Sequence, residues 1–276
     1  MAINWASRYS SIVDERFRLM SVTQAAVSDT YSFDGVNTVN VYSIPTKEMN
    51  DYQMAGNQRY GVPDELGDSI QTLTMTQDRS FTFTIDRRNY QDTMMVKESG
   101  TALRRQLEEI VTPEIDIYRL AVIAANAGNM ETAVINIGGN NANAYSEFLK
   151  GTTTLLDNKA PLAGTVAFIS AHFYKAIRLD SAFILPSDIA QGNLIRGQVG
   201  EVDSIPLVYV PTSYLPAGTN FLLTNRIANT APMKISEYRI HDNPPGINGW
   251  LIEGRFYYDC FVLNNKRNVI YHHKAA

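Results

Sequence analysis

The chain has 276 residues, 45% of them apolar, enough to bury a sizeable core in one large domain or two medium ones. A net charge of −4 excludes strong nonspecific attraction to nucleic acid. The single cysteine, Cys260, excludes an intrachain disulfide framework and a multi-cysteine metal site, and its aromatic neighbours suit a small core residue. Charged residues make up only 19%; Asn, Thr, Ser, Gln and Tyr carry the polarity instead, which tilts the surface slightly towards protein–protein contact. No charged-then-apolar leader opens the sequence, and no apolar run approaches membrane-spanning length. A soluble, cytoplasmically made protein without membrane contact is expected.

Trp5, Tyr9, Ile12, Val13, Phe17 and Met20 recur at three- and four-residue steps, which predicts an amphipathic helix serving as an arm. Val36–Ile44 reads as a strand stopped by Pro45, and Thr72–Ile85 as a second, with Phe81, Phe83 and Ile85 on one side. The long polar connection between them predicts an extended hairpin that needs a neighbour to lie on. Met94–Asn126 carries a helical apolar stripe, and Pro113 predicts a kink or break near Val111–Thr112. Alternating α and β elements follow. Phe148–Lys159 and His172–Leu179 read as helices; Thr165–Ser170, Ile205–Val210 and Phe221–Thr224 read as strands. Lys234–Ile240, Trp250–Tyr258 and Phe261–Val262 predict a return to sheet, with a turn over 241–249.

The motifs of nucleophilic hydrolases, zinc proteases and phosphate-binding loops are all missing, so no catalytic, cofactor or metal site is expected. Gly138-Gly139 reads as a turn. His172 reads as a capping or core residue, and His272-His273 as a frayed tail. Glu108-Glu109 and Glu114-x-Asp116 sit among Arg104, Arg105 and Arg119 at helical spacing. That pattern points to a solvated or intersubunit ion-pair face rather than an acid/base pair. Arg87-Arg88, without a wider basic stripe, suits a protein neighbour better than nucleic acid.

The order of an arm, a long hairpin, a spine helix, an α/β insertion and a final sheet resembles the major capsid protein family of tailed bacteriophages, whose fold encapsulin shells share. Gly35–Thr46, Met49–Tyr52, Arg59–Pro63 and Asp78–Arg87 resemble that family's extended loop. Thr112–Leu120 resembles its spine segment, and Gly197–Pro211 its strand and loop near the capsomer axis. The resemblance implies an α+β fold with 1–35 as N-terminal arm and 36–88 as extended loop. It makes 89–135 with 230–276 the peripheral domain and 136–229 the axial domain, with Gln191–Gly200 at capsomer centres. It further implies hexamers and pentamers of an icosahedral virion shell around double-stranded DNA, a separate scaffolding protein and a portal, with assembly in the host cytoplasm. Candidate contacts between subunits are Arg59, Tyr60, Phe81, Arg87, Arg88, Arg104, Arg105, Glu108 and Glu109. Some members join subunits by a Lys–Asn isopeptide bond. Here Lys47 with Asn264 or Asn265 would serve, but no Glu follows Glu253, and no crosslink is expected. An encapsulin-like compartment is one alternative reading. An α/β enzyme built around Thr165–Val210 is another, and it would need a polar site pairing His172 with a carboxylate.

Overall fold

The computed structural model describes residues 21–28, 30–31, 33, 37–63, 65–92, 99–139, 141–180 and 200–276. The helix expected over 5–20, the first residues of the spine segment at 94–98 and the axial loop over 191–199 lie outside them. The strands are β1 (Thr38–Ser43), β2 (Ser69–Thr74), β3 (Gln77–Asp86), β4 (Asn129–Thr132), β5 (Thr165–Ile169), β6 (Glu201–Val202), β7 (Ile205–Tyr209), β8 (Thr219–Asn225), β9 (Asn229–Thr230), β10 (Met233–Asp242), β11 (Gly249–Tyr258), β12 (Phe261–Val262) and β13 (Tyr271–Lys274). The α-helices are α1 (Arg87–Asp92), α2 (Ser99–Gln106), α3 (Thr112–Ala125), α4 (Ala144–Asp157) and α5 (Ala171–Arg178). Phe33–Met75 forms one compact unit and the rest of the chain another.

In the smaller unit β1 and β2 pair antiparallel from Thr38↔Thr74 to Ser43↔Ser69, and the Met75 N–H donates to the Asn37 carbonyl at their base. The predicted hairpin exists, but the strand expected over Thr72–Ile85 is two strands. The break falls at Thr76, whose N–H and Oγ1 donate to the Asp259 carboxylate at 2.8 and 3.1 Å instead of joining a ladder. β3 then enters a different sheet, of order β10-β11-β3.

The spine is one helical run from Ser99 to Ala125, about 40 Å long. Of the kink or break expected near Val111–Thr112, a break into two separate helices does not occur. A π-turn over Leu107–Val111 widens the helix just ahead of the proline, where the ring would otherwise crowd the preceding turn. The Thr112 N–H reaches five residues back to the Leu107 carbonyl, and Thr112 Oγ1 donates to the same oxygen at 2.9 Å.

This helix serves two cores. Leu103, Leu107, Val111 and Ile115 belong to a cluster with Ile85, Tyr238, Ile252 and Phe256 of the three-stranded sheet. Leu120, Ile123 and Ala124 belong to the larger core around a six-stranded sheet of order β4-β13-β8-β5-β7-β6. β5 and β8 are buried along their whole length, as apolar runs at a sheet centre must be. β5 and β7 run parallel, and α5 lies between them in the chain, capped where Ser170 Oγ accepts from the Phe173 N–H at 3.2 Å. Phe148, Phe173 and Phe221 stack beneath α4 and α5, with centroids 4.7 to 6.5 Å apart. Cys260 is buried, as expected, which pushes its thiol up to about 12.

Two histidine readings change. The cap of α5 is Ser170, and His172 is exposed. His272 and His273 are no frayed tail: β13 lies between β4 and β8, and both rings are buried. Gly138-Gly139 is the turn expected, with positive φ at both residues.

Candidate interaction surface

Half of the large apolar side chains left exposed among the described residues fall in Phe33–Met75, which holds only about a sixth of those residues. They include Met49 and Met54, 96% and 87% exposed, and Tyr60 at 85%. The segment that carries them is held by few bonds of its own. The Gln53 N–H donates to the Arg59 carbonyl, the Gly61 N–H to Gln58 and Arg59 Nε to Gly56. Tyr52 and Tyr60 meet edge to face at 5.1 Å. β1 and β2 add a ladder of short polar side chains, Thr38 with Thr74 at 3.1 Å and Thr72 with Asn40 at 2.9 Å. The unit thus combines large exposed apolar side chains with little core, the combination that makes it a candidate contact surface.

The second surface is the outer face of the three-stranded sheet. Register brings Glu237, Arg255 and Ser80 into one row and Arg239, Glu253 and Thr82 into the next. An open groove of about 500 Å³ runs across these rows. Arg255 grips Asp78 with two bonds, of 2.6 and 3.0 Å, and holds that carboxyl below the usual range. His241 Nε2 lies 3.3 Å from Glu253, and Arg239 lies 3.1 Å from Glu237.

The residues singled out in the sequence do not gather at one place. Arg59 and Tyr60 lie in the small unit. Phe81 lies in β3, its ring stacked on Phe83 and Phe256 at 6.1 and 6.2 Å. That ring spans the position of Gly254, where a Cβ would stand 2.5 Å from it. Phe81 therefore packs within the chain's own three-stranded sheet. Arg87 opens α1, lies 3.3 Å from Asp242 and covers the Trp250 ring at 5.7 Å. The Arg88 N–H caps on Asp86 at 2.8 Å. Arg104 and Glu108 form the expected helical ion pair at 2.7 Å, with Arg105 and Glu109 exposed beside them.

Asp116 and Arg119 do not belong to a solvated charged face; they are 1% and 3% exposed. Seven residues separate Glu109 from Asp116, but the π-turn inserts an extra residue into the register and rotates them onto different faces. Asp116 accepts from Ser21 Oγ, the Val22 N–H and Thr23 Oγ1 at 2.6, 3.0 and 2.6 Å, and Arg119 Nη1 adds Thr23 at 3.2 Å. One turn of α3 thus clamps Ser21, Val22 and Thr23. Asp259 does the same for the start of β3, also accepting from Tyr118 Oη at 2.7 Å. Burial and Asp259 together raise the Tyr118 phenol.

Sequence reasoning also missed the ionisable cluster around β13. Lys150 bonds Glu131 and holds its carboxyl low, and Tyr271 Oη donates to the same carboxylate. The His273 ring stacks on Phe221 at 4.8 Å, with Nδ1 3.2 Å from Asn220 Nδ2 and Nε2 3.6 Å from Glu147. His272 lies 2.8 Å from Thr219 Oγ1, and burial pushes its imidazole down to about 4. Among the described residues, no group of His, Cys, Asp and Glu is placed to hold a metal ion.

No protein-family model and no curated protein matches this sequence. Solved structures match its fold. The structure of Mycobacterium phage Che8 superposes with a TM-score of 0.71 at 18% identity, covering 92% of this chain and 90% of that one. The mature capsid of bacteriophage PhiM1 gives 0.71 at 12% identity, over 93% and 87%. A virus-like particle from Pyrococcus furiosus gives 0.60 at 8% identity, over 99% and 100%. At such identities the likeness is one of fold: the chain has the α+β fold of tailed-phage capsid subunits, as its sequence resemblance implies.

Proposed function

We propose that the chain is the major capsid protein of a tailed phage, a structural subunit that self-assembles into hexamers and pentamers of an icosahedral shell around double-stranded DNA. Besides the fold, one observation carries this reading: the concentration of exposed apolar side chains in Phe33–Met75, a unit with almost no core of its own. Such a surface is stable in water when another copy covers it. In this reading 1–35 is the N-terminal arm and 36–88 the extended loop. The peripheral domain is 89–135 with 230–276, and the axial domain is 136–229. Pairing of β3 with β11 draws the end of the extended loop into the peripheral sheet, so the covering part is Phe33–Met75. Arg59, Tyr60, Arg104, Arg105, Glu108 and Glu109 then serve as contacts between subunits. A separate scaffolding protein and a portal assist assembly in the host cytoplasm.

The second reading is a compartment shell that encloses protein, and the fold shared with a virus-like particle does not favour it over the phage capsid. Expression of the chain alone and with its scaffold, followed by sedimentation and electron microscopy, tests both. Closed particles or capsomer rings are expected, and deletion of 48–68 abolishes them. Particles that take up DNA through a portal support the phage reading; particles filled with cargo protein support the compartment. A chain that stays monomeric with its scaffold overturns both.

A further inference from the structure

The edge of β10 away from β11 carries a self-complementary pattern. β11 occupies one side of β10, and among the described residues no strand pairs with the other. The Asn243 N–H donates to the Gly249 carbonyl at 2.7 Å, which fixes the antiparallel alternation: His241, Arg239 and Glu237 direct their backbone groups at β11. Asp242, Ile240 and Ser236 therefore direct theirs outwards. We propose that β10 pairs antiparallel with β10 of a second copy across a two-fold axis at Tyr238, joining two three-stranded sheets into one.

Two independent constraints select that register. Backbone alternation requires even-numbered residues to face even-numbered residues, so Ser236 exchanges hydrogen bonds with Ile240 of the second copy, and Ile240 with its Ser236. Charge decides among the registers left. With Tyr238 on the axis, Glu237 faces Arg239 of the second copy and Arg239 faces its Glu237. Sliding one step in either allowed direction sets Glu237 against Glu237 or Arg239 against Arg239, which like-charge repulsion disfavours. Within one chain Glu237 and Arg239 are exposed, 62% and 63%, and their 3.1 Å pair is worth little in water. The other edge of the sheet has no such pattern: the same operation centred on Thr82 sets Asp78 against Asp86.

Charged edge residues and a bulge, such as the one between Met233 and Ile235, are also how proteins block edge pairing. A blocking pattern repels every register, whereas this one satisfies one register and penalises its neighbours. The contact is isologous, as a two-fold requires.

The proposal rests on the shell reading for its setting, and the experiment separates the two. Glu237→Arg alone and Arg239→Glu alone each place like charges across the axis and should lower the assembled fraction about tenfold when repeated at every two-fold. Mixing the two single variants restores opposite charges between chains while leaving like charges within each chain, so rescue by mixing reports the intermolecular pair alone. Glu237→Cys mixed with Arg239→Cys, on the full-length chain under mild oxidation, should give a disulfide-linked heterodimer. Mixing that rescues assembly and a heterodimer that forms support the pairing. Normal particles from both single variants, or no heterodimer in particles or in concentrated soluble chain, overturn it and leave the shell reading intact. A wild-type chain that never assembles with its scaffold overturns the shell reading, whatever the cysteines do.

Discussion

In β5 and β8 every residue is buried, whereas in Phe33–Met75 the buried residues among those described are Phe33, Leu73 and Met75. Both regions carry large apolar side chains. They differ in where the covering surface comes from. The six-stranded sheet, with β13 inside it between β4 and β8, is covered within its own chain by helices. The small unit presents Met49, Met54 and Tyr60 to water and holds its strands by backbone bonds and a Thr–Asn ladder. In the proposed reading the chain folds on the first region and assembles through the second, so substitutions in the two should move different observables.

The sharpest break of the comparison lies in the aromatic stack. Phe221 touches Phe148, Phe173, Tyr271 and His273, with centroids between 4.7 and 5.9 Å. Phe221→Ala should cost about 3–5 kcal/mol by urea denaturation of the subunit, the sum of lost burial and an unfilled cavity.

Next is a pH effect confined to the same region. His272 is neutral in the folded chain, with its pKa pushed from an ordinary 6.5 to about 4. The unfolded chain therefore binds the proton first as pH falls. The stabilisation is complete above pH 6.5 and is lost progressively down to about pH 4, a decline of about 3 kcal/mol. His273, lowered mainly by its own burial, acts in the same direction. Denaturation curves at pH 7 and pH 4.5 should show the loss, and His272→Gln should flatten it.

Smaller again is Gly254→Val. Its Cβ would meet the Phe81 ring at 2.5 Å, so the ring must leave its place across β11, at about 1–3 kcal/mol by thermal or chemical denaturation.

The sequence made the order of elements legible because their periods differ. The alternation of Phe81, Phe83 and Ile85 predicts β3, and the apolar run of Thr165–Ser170 predicts a short strand. The strands β4 and β13 escaped notice for a physical reason. Four residues such as Tyr-His-His-Lys carry no readable period, and a histidine pair near the end of a sequence looks solvated until a sheet closes around it. Asp116 and Asp259 were equally opaque. Their bonds join residues 94 positions apart for Asp116 and Val22, and 183 for Asp259 and Thr76, which spacing along one helix cannot reveal. The π-turn compounded this by rotating Asp116 away from the charged face that a regular helix would give it.

The smallest expected effect on folding is the most telling about the comparison. Tyr60 is 85% exposed and Met49 96%, so in the isolated subunit neither has much burial to lose. Tyr60→Asp with Met49→Asp should change the unfolding free energy by less than about 0.5 kcal/mol, as for other exposed positions. The same pair puts two carboxylates on the surface that a neighbour would cover, where desolvation without a partner costs several times more. An unchanged denaturation midpoint together with lost particles would separate folding from assembly in one variant. Loss of both would mean that the Phe33–Met75 unit helps to stabilise the subunit itself, and the division between a self-covered and a partner-covered region would fall.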